Sequence, residues 1–253
     1  RNATIGSTWV ALQPGTNATI EKLGKRSLQV DVAFADVLHD MGAGLIFGPD
    51  FITVPGPAEL NGIDVDLSAM PDTAQTLAVV ALFARGQTAI RGLHTLKVKE
   101  TDRLAALQAE LTKLGADVEI EDGSVLVIDP PRSLKAAHID TYDDHRMAMS
   151  FALAGTRSAG VTIKDVECVN KTYPTYFADL QQVLAEKDLP AWRGMAGDED
   201  IEPQTVHSNS VQAHALQVEL HCFAKAVADL DDSRHALAAE ALSTRARPII
   251  NAT

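Results

Sequence analysis

Phe34-Ala-Asp-Val-Leu-His-Asp-Met-Gly-Ala43 reads as a short apolar-faced helix stopped at Gly42. Its ending comes back 73 positions later, where Gly115-Ala116 closes a second helix striped by Leu104, Leu107, Leu111 and Leu114. Each Gly-Ala is followed by two short apolar runs around a turn. They are Leu45 to Phe47 with Phe51 to Val54, and Val118 to Ile120 with Val125 to Ile128 around Asp122-Gly123. Glycine past a helix end and Asp-Gly in a hairpin supply the positive φ angles such turns require.

Other pieces recur in the same register. Pro71-Asp72 opens an apolar helix predicted to end at Gly86, and Asp143-Asp144 opens another predicted to end at Gly155. Strand-like Thr19-Ile20, Thr88-Ala-Ile90 and Val161-Thr-Ile163 share the spacing. The unit reads strand, helix, strand pair, then strand and helix again, which predicts an α/β (α+β) fold with a mixed sheet covered by helices. A third unit runs from Val161 through a helix from about Pro174 to Leu184 and lacks its hairpin. A segment outside this stretch is expected to complete it.

With 253 residues, 46% of them apolar, the chain can bury a sizeable core. Its formal charge of −12 argues against nucleic acid, which demands clustered positive charge. No apolar run approaches the roughly 20 residues of a membrane span, and no signal peptide is seen. A cytoplasmic protein is expected. Cys168 and Cys222 lack metal-ligand spacing and read as reduced thiols. The start at Arg1 suggests a fragment or processed product.

The basic residues carry the functional signal. In Lys97-Val-Lys-Glu-Thr-Asp-Arg103, Lys99 and Arg103 are expected to share one helix face. They stand in or beside a first turn, where the macrodipole disfavours cations by roughly 0.3–1 kcal/mol. A bound anion would reverse the sign of that cost. The alternative is a solvated turn neutralised by Glu100 and Asp102. Thr141-Tyr-Asp-Asp-His-Arg146 repeats the arrangement with His145 and Arg146, which Asp143 and Asp144 could cap and pair. Lys171 precedes a third helix. Three helix starts carrying cations suggest a common anion site. Asp72, beside Pro71, fits ordinary helix-start chemistry. On Glu100 the basic neighbours would favour the charged form and burial the neutral one, a balance that can suit a general acid or base.

Ser27-Leu-Gln with Phe34-Ala-Asp-Val-Leu, Asp64-Val-Asp with Met70-Pro-Asp-Thr-Ala, Val98-Lys-Glu-Thr-Asp-Arg103, Asp144-His-Arg-Met-Ala-Met149 and Lys171-Thr-Tyr-Pro-Thr-Tyr-Phe177 together resemble the EPSP synthases, of the enolpyruvyltransferase family. The resemblance covers residues 16–186. It implies repeated βαβαββ units forming one of two domains of an inside-out α/β barrel, with the other, amino-terminal domain missing here. It further implies transfer of the enolpyruvyl group of phosphoenolpyruvate to the 5-hydroxyl of shikimate 3-phosphate, without metal or organic cofactor. By resemblance Asp72 accepts the hydroxyl proton and Glu100 exchanges a proton with the methylene carbon. Arg103 and Arg146 clamp the phosphoenolpyruvate carboxylate, and Lys171 meets its phosphate. Lys99 and Thr95, with Asp72, face shikimate 3-phosphate, and His145 supports the site. Val30 and Thr95 depart from the family's usual Gly and Asn.

The expected organisation is an unmatched segment 1–15, the family domain 16–189, an acidic linker 190–206 and a helical tail 207–253 of unknown role. His207, His214 and His221 fall seven apart, about 10.5 Å along a helix, too far to share a metal. Two alternatives stay open: a UDP-N-acetylglucosamine enolpyruvyltransferase-like enzyme, and a non-catalytic remnant that keeps an anion site.

Overall fold

The computed structural model describes residues 17–28, 30–56 and 59–186. The segments expected at 1–15, 190–206 and 207–253 fall outside the described residues, as does the histidine series.

Strands β1 (Asn17–Glu21), β2 (Ile46–Phe47) and β3 (Phe51–Pro55) form an antiparallel sheet in the order β1-β3-β2. A second, four-stranded sheet has the order β5-β7-β9-β8, built from β5 (Asp64–Asp66), β7 (Thr88–Arg91), β8 (Asp117–Glu121) and β9 (Val125–Asp129). Its β5 and β7 run parallel and its other pairs antiparallel. Two parallel pairs complete the set: β4 (Leu60–Asn61) with β6 (Ala84–Arg85), and β10 (Ala137–Ile139) with β11 (Val161–Ile163). The α-helices are α1 (Phe34–Asp40), α2 (Ala74–Ala81), α3 (Arg103–Lys113), α4 (His145–Arg157) and α5 (Tyr176–Glu186). The fold is thus mixed α/β, as the hydrophobic pattern indicated. No helix among the described residues is long and apolar enough to cross a membrane.

The two Gly-Ala words do the same physical job. After α1, Gly42 takes φ 106° while its amide reaches His39 O and that of Ala43 reaches Leu38 O. After α3, Gly115 takes φ 99°, with Gly115 N bonded to Thr112 O and Ala116 N to Leu111 O. Both are Schellman endings, which satisfy carbonyls the helix leaves unpaired. The β8–β9 hairpin turns through Asp122 and Gly123, both at positive φ.

Two predicted helix ends shift. α2 stops at Ala81 rather than Gly86, because Ala84–Arg85 leave the helix to pair with Leu60–Asn61. Conversely, α4 runs through Gly155 to Arg157. Glycine inside a helix costs only about 0.5–1 kcal/mol, and burial of Phe151, Ala152, Leu153, Ala154 and Thr156 holds those turns.

All eight residues of α2 are buried, so this helix runs inside the molecule and the residues just ahead of it are held by the core. One apolar cluster joins Leu38, Ile52, Leu77, Ile90, Leu107 and Phe151 from both larger sheets and four helices. The bulkiest fully buried side chain, however, is a charged one: Arg103.

Candidate active site

Four helix beginnings and one turn supply the charged residues. Asp72 sits in the 3-10 turn Pro71–Thr73 that leads into α2. Lys99 and Glu100 follow the 3-10 turn His94–Val98, and Arg103 is the first residue of α3. Asp144 is the N-cap of α4, with His145 and Arg146 immediately inside. Lys171 ends the 3-10 turn Val166–Lys171 ahead of α5.

Arg103, 1% exposed, is the centre. Its Nε donates to Asp144 Oδ2 at 2.6 Å and its Nη2 to Asp144 Oδ1 at 3.3 Å. Nη2 also reaches Glu100 Oε2 at 2.7 Å, and Nη1 reaches Asp72 Oδ1 at 3.1 Å. Asp72 in turn accepts from Arg146, whose Nη2 lies 2.9 Å from its carboxylate and whose Nη1 lies 3.1 Å from its backbone oxygen. Lys99 Nζ stands 3.6 Å from Asp72 Oδ1. Lys171 Nζ donates to the carbonyl of Asp143 at 3.0 Å. Arg103 and Asp144 form a dry floor, whereas Asp72, Glu100, Lys99 and Arg146 keep about a third of their side chains open to solvent.

Burial works to raise the Asp144 carboxyl. The hydrogen bonds and charge of Arg103, with the Arg146 amide at 2.8 Å, outweigh it and hold the group below its ordinary value. The Asp144 carboxyl therefore stays ionised despite its burial. Burial, then the charge of Arg146, push His145 down, so its imidazole is neutral near pH 7. His145 Nδ1 is buried without a hydrogen-bond partner among the described residues, as is the Thr95 hydroxyl in the turn before Lys99.

The structure corrects the local pairings. Lys99 is extended and outside α3, so it does not share a helix face with Arg103. The two meet instead across Asp72. Asp144 caps α4 as expected, but its carboxylate pairs with Arg103, and the guanidinium of Arg146 goes to Asp72. The acid that neutralises alongside Glu100 is therefore not Asp102, which caps α3 by accepting from Ala105 N at 3.1 Å. Thr95 has no hydrogen bond into the network.

Asp144 itself was missed as a site residue, although a carboxylate at the start of an apolar helix beside cations was a usable signal. A depression of about 480 Å³ lies elsewhere, on the first sheet, among Thr19, Lys22, Asp50 and Phe51. None of the network residues lines it. The charge cluster, three cations on three carboxylates with Lys171 on a neighbouring carbonyl, lies apart from that depression.

The described residues form a mixed α/β domain in which several helix beginnings turn onto one ionic cluster. The chain belongs to the family EPSP synthase (3-phosphoshikimate 1-carboxyvinyltransferase), which matches residues 2–180 and so takes in residues ahead of the first motif. The 3-phosphoshikimate 1-carboxyvinyltransferase of Pseudoalteromonas atlantica is 48% identical over 175 residues, covering 69% of this chain and 40% of the relative. Chloroplastic 3-phosphoshikimate 1-carboxyvinyltransferase 1 of Nicotiana tabacum is 50% identical, covering 66% of this chain and 34% of its own. Among solved structures, an EPSP synthase from Acinetobacter baumannii superposes with a TM-score of 0.62 at 25% identity, over 74% of this chain and 44% of that one. This chain thus spans well under half the length of these relatives.

Proposed function

We propose that this chain carries the part of an enolpyruvyl-transfer site that binds phosphoenolpyruvate and moves its protons. The observation supporting this is the convergence of Asp72, Glu100, Arg103 and Arg146, from three separate helix beginnings, on one hydrogen-bonded network. Planar guanidinium forks suit a carboxylate, and Arg146 is the fork with an open side. An incoming carboxylate exchanges with Asp72 as its partner, anion for anion. That exchange frees the Asp72 oxygens to accept the 5-hydroxyl hydrogen of shikimate 3-phosphate. Arg103, tied to buried Asp144, is the fixed arm of the clamp.

Lys171 donates only to a neutral carbonyl here, which leaves its charge for the phosphate. Lys99 and the Thr95 hydroxyl serve the shikimate side, and neutral His145 supports rather than reacts. Glu100 delivers a proton to the methylene carbon while the hydroxyl oxygen bonds to the adjacent carbon. Loss of phosphate, which takes up the hydroxyl proton held by Asp72, and return of a methyl proton to Glu100 restore the carbon–carbon double bond as an enol ether. No cofactor enters these steps.

The finer architecture belongs to the same proposal: repeated βαβαββ units, one domain of an inside-out α/β barrel over 16–189, a linker and a helical tail. So do a cytoplasmic setting and the need for the portion of the relatives that this chain does not span. A coupled phosphate-release assay with both substrates tests it. The expected result is little turnover by the chain alone and recovery on adding the amino-terminal part of the Pseudoalteromonas atlantica relative. Robust turnover without that addition refutes the shared-site reading, and no turnover in either case refutes the activity.

A further inference from the structure

Tyr142 and Asp143 both hold left-handed backbone, with φ of 57° and 54°. That conformation is costly for residues with a β-carbon and persists only where the surroundings impose it. The restraint comes from α3. Glu110, fully buried on that helix, accepts the Tyr142 hydroxyl at 2.7 Å and the Asp140 amide at 3.1 Å. Lys113 Nζ balances Glu110 at 2.8 Å and also reaches Asp140 Oδ2 at 2.7 Å, while Lys164 takes Asp140 Oδ1 at 2.8 Å. Burial first, then Glu110, push the Tyr142 hydroxyl up to about 12, so it remains a donor.

Arg103 lies seven residues earlier on the same helix, about 10.5 Å along its axis. Helix α3 therefore grips the 140–146 segment twice, through Arg103 on Asp144 and through Glu110 on Asp140 and Tyr142. Between the grips lies a turn closed by Asp144 N on Thr141 O at 2.9 Å. The carbonyl of Asp143 in that turn holds Lys171, and the Asp144 carboxylate caps Arg146 N. Three groups of the anion site thus hang from one strained turn.

We propose that Glu110 and Tyr142 are positioning residues: their hydrogen bond locks the left-handed turn and so sets where Arg103, held by Asp144, and Arg146 and Lys171 meet phosphoenolpyruvate. The lock stands on geometry alone; only the identity of the ligand rests on the function proposed above.

Two variants of the full chain separate locking from plain stabilisation. Tyr142→Phe keeps the ring and the backbone strain and removes the bond. Tyr142→Gly removes ring and bond but relieves the strain, so its melting temperature stays within about 3 °C of the unaltered chain. In both, amide hydrogen exchange at Asp144 and Arg146 accelerates about tenfold or more while the interior of α4 is unchanged. Calorimetric affinity for phosphoenolpyruvate falls about tenfold in Tyr142→Gly despite its preserved melting temperature, a split that a merely structural contact does not give. Unchanged exchange in Tyr142→Phe overturns the lock. Faster exchange with unchanged affinity overturns the positioning role. If the unaltered chain binds no phosphoenolpyruvate, the functional reading fails, and the exchange measurement still decides the lock.

Discussion

Replacing Asp144 by Asn removes one charge and little else. The side-chain oxygen that caps the Arg146 amide at 2.8 Å is retained, and Asn caps helices about as well as Asp. What is lost is the buried ionic partner of Arg103: the 2.6 Å bond to Oδ2 is replaced by an amide NH2 facing the guanidinium, and the 3.3 Å bond to Oδ1 loses its charge, between groups that are 1% and 0% exposed. Breaking one side of a buried pair costs about 3–5 kcal/mol, because the other charge is left in a dry place. Arg103 keeps Glu100 and Asp72, both partly solvated, so the low end, about 3 kcal/mol, is expected. Asp144→Ala should cost about 1 kcal/mol more, the worth of the cap. Urea unfolding followed by far-ultraviolet circular dichroism reads both, with the denaturant slope unchanged. In melting temperature, Asp144→Asn is expected to lose about 6–12 °C. An Asn variant within about 0.5 kcal/mol of the unaltered chain would refute the claim that Arg103 depends on this carboxylate.

Gly115→Ala places a β-carbon at φ 99°, next to the flexible Lys135 side chain at 3.3 Å, so backbone strain rather than crowding dominates. A loss of about 1–2 kcal/mol is expected in the same urea assay, and a gain would contradict the Schellman reading. Stability should also follow pH with a definite sign. Asp140 and Asp144 sit below their ordinary 3.8, so their contribution is complete above 3.8 and disappears as pH falls through the lower folded values. His145 sits below 6.5, so its contribution is complete above 6.5 and declines as acid forces the ring to charge. The melting temperature should therefore sag below pH 6.5 and fall steeply below 3.8; a rise on acidification from 6.5 to about pH 5 would contradict this account of His145. Glu100→Gln should leave phosphoenolpyruvate affinity nearly intact and lower turnover of the complemented chain by about 10²–10⁴-fold. Equal losses in affinity and turnover would assign Glu100 to binding instead.

The parts of the fold legible in the sequence are those where backbone geometry demands a particular residue. Gly42, Gly115 and Asp122-Gly123 stand at positive φ, and their identities announce it. The ends of α2 and α4 were not legible, since one is set by Ala84–Arg85 finding Leu60–Asn61 and the other by burial around Phe151. The site divides the same way. Cations at helix beginnings were visible at Arg103 and Arg146, with Lys99 just ahead of one. Their partners were not, because Arg103–Asp144 and Arg146–Asp72 join residues 41 and 74 positions apart that only packing brings together. Glu110 left a fainter trace: it falls two turns after Arg103, beside the leucine stripe of α3, where a surface carboxylate has no reason to be buried.

Titration of the chain with phosphoenolpyruvate by calorimetry, repeated on Arg146→Ala, tests the anion site most directly. Binding is expected to weaken as salt is raised and to fall by about tenfold or more on the substitution, since a charge-assisted fork contributes at least ~1.5 kcal/mol. Equal affinity of the two proteins would show that the anion docks somewhere other than this cluster.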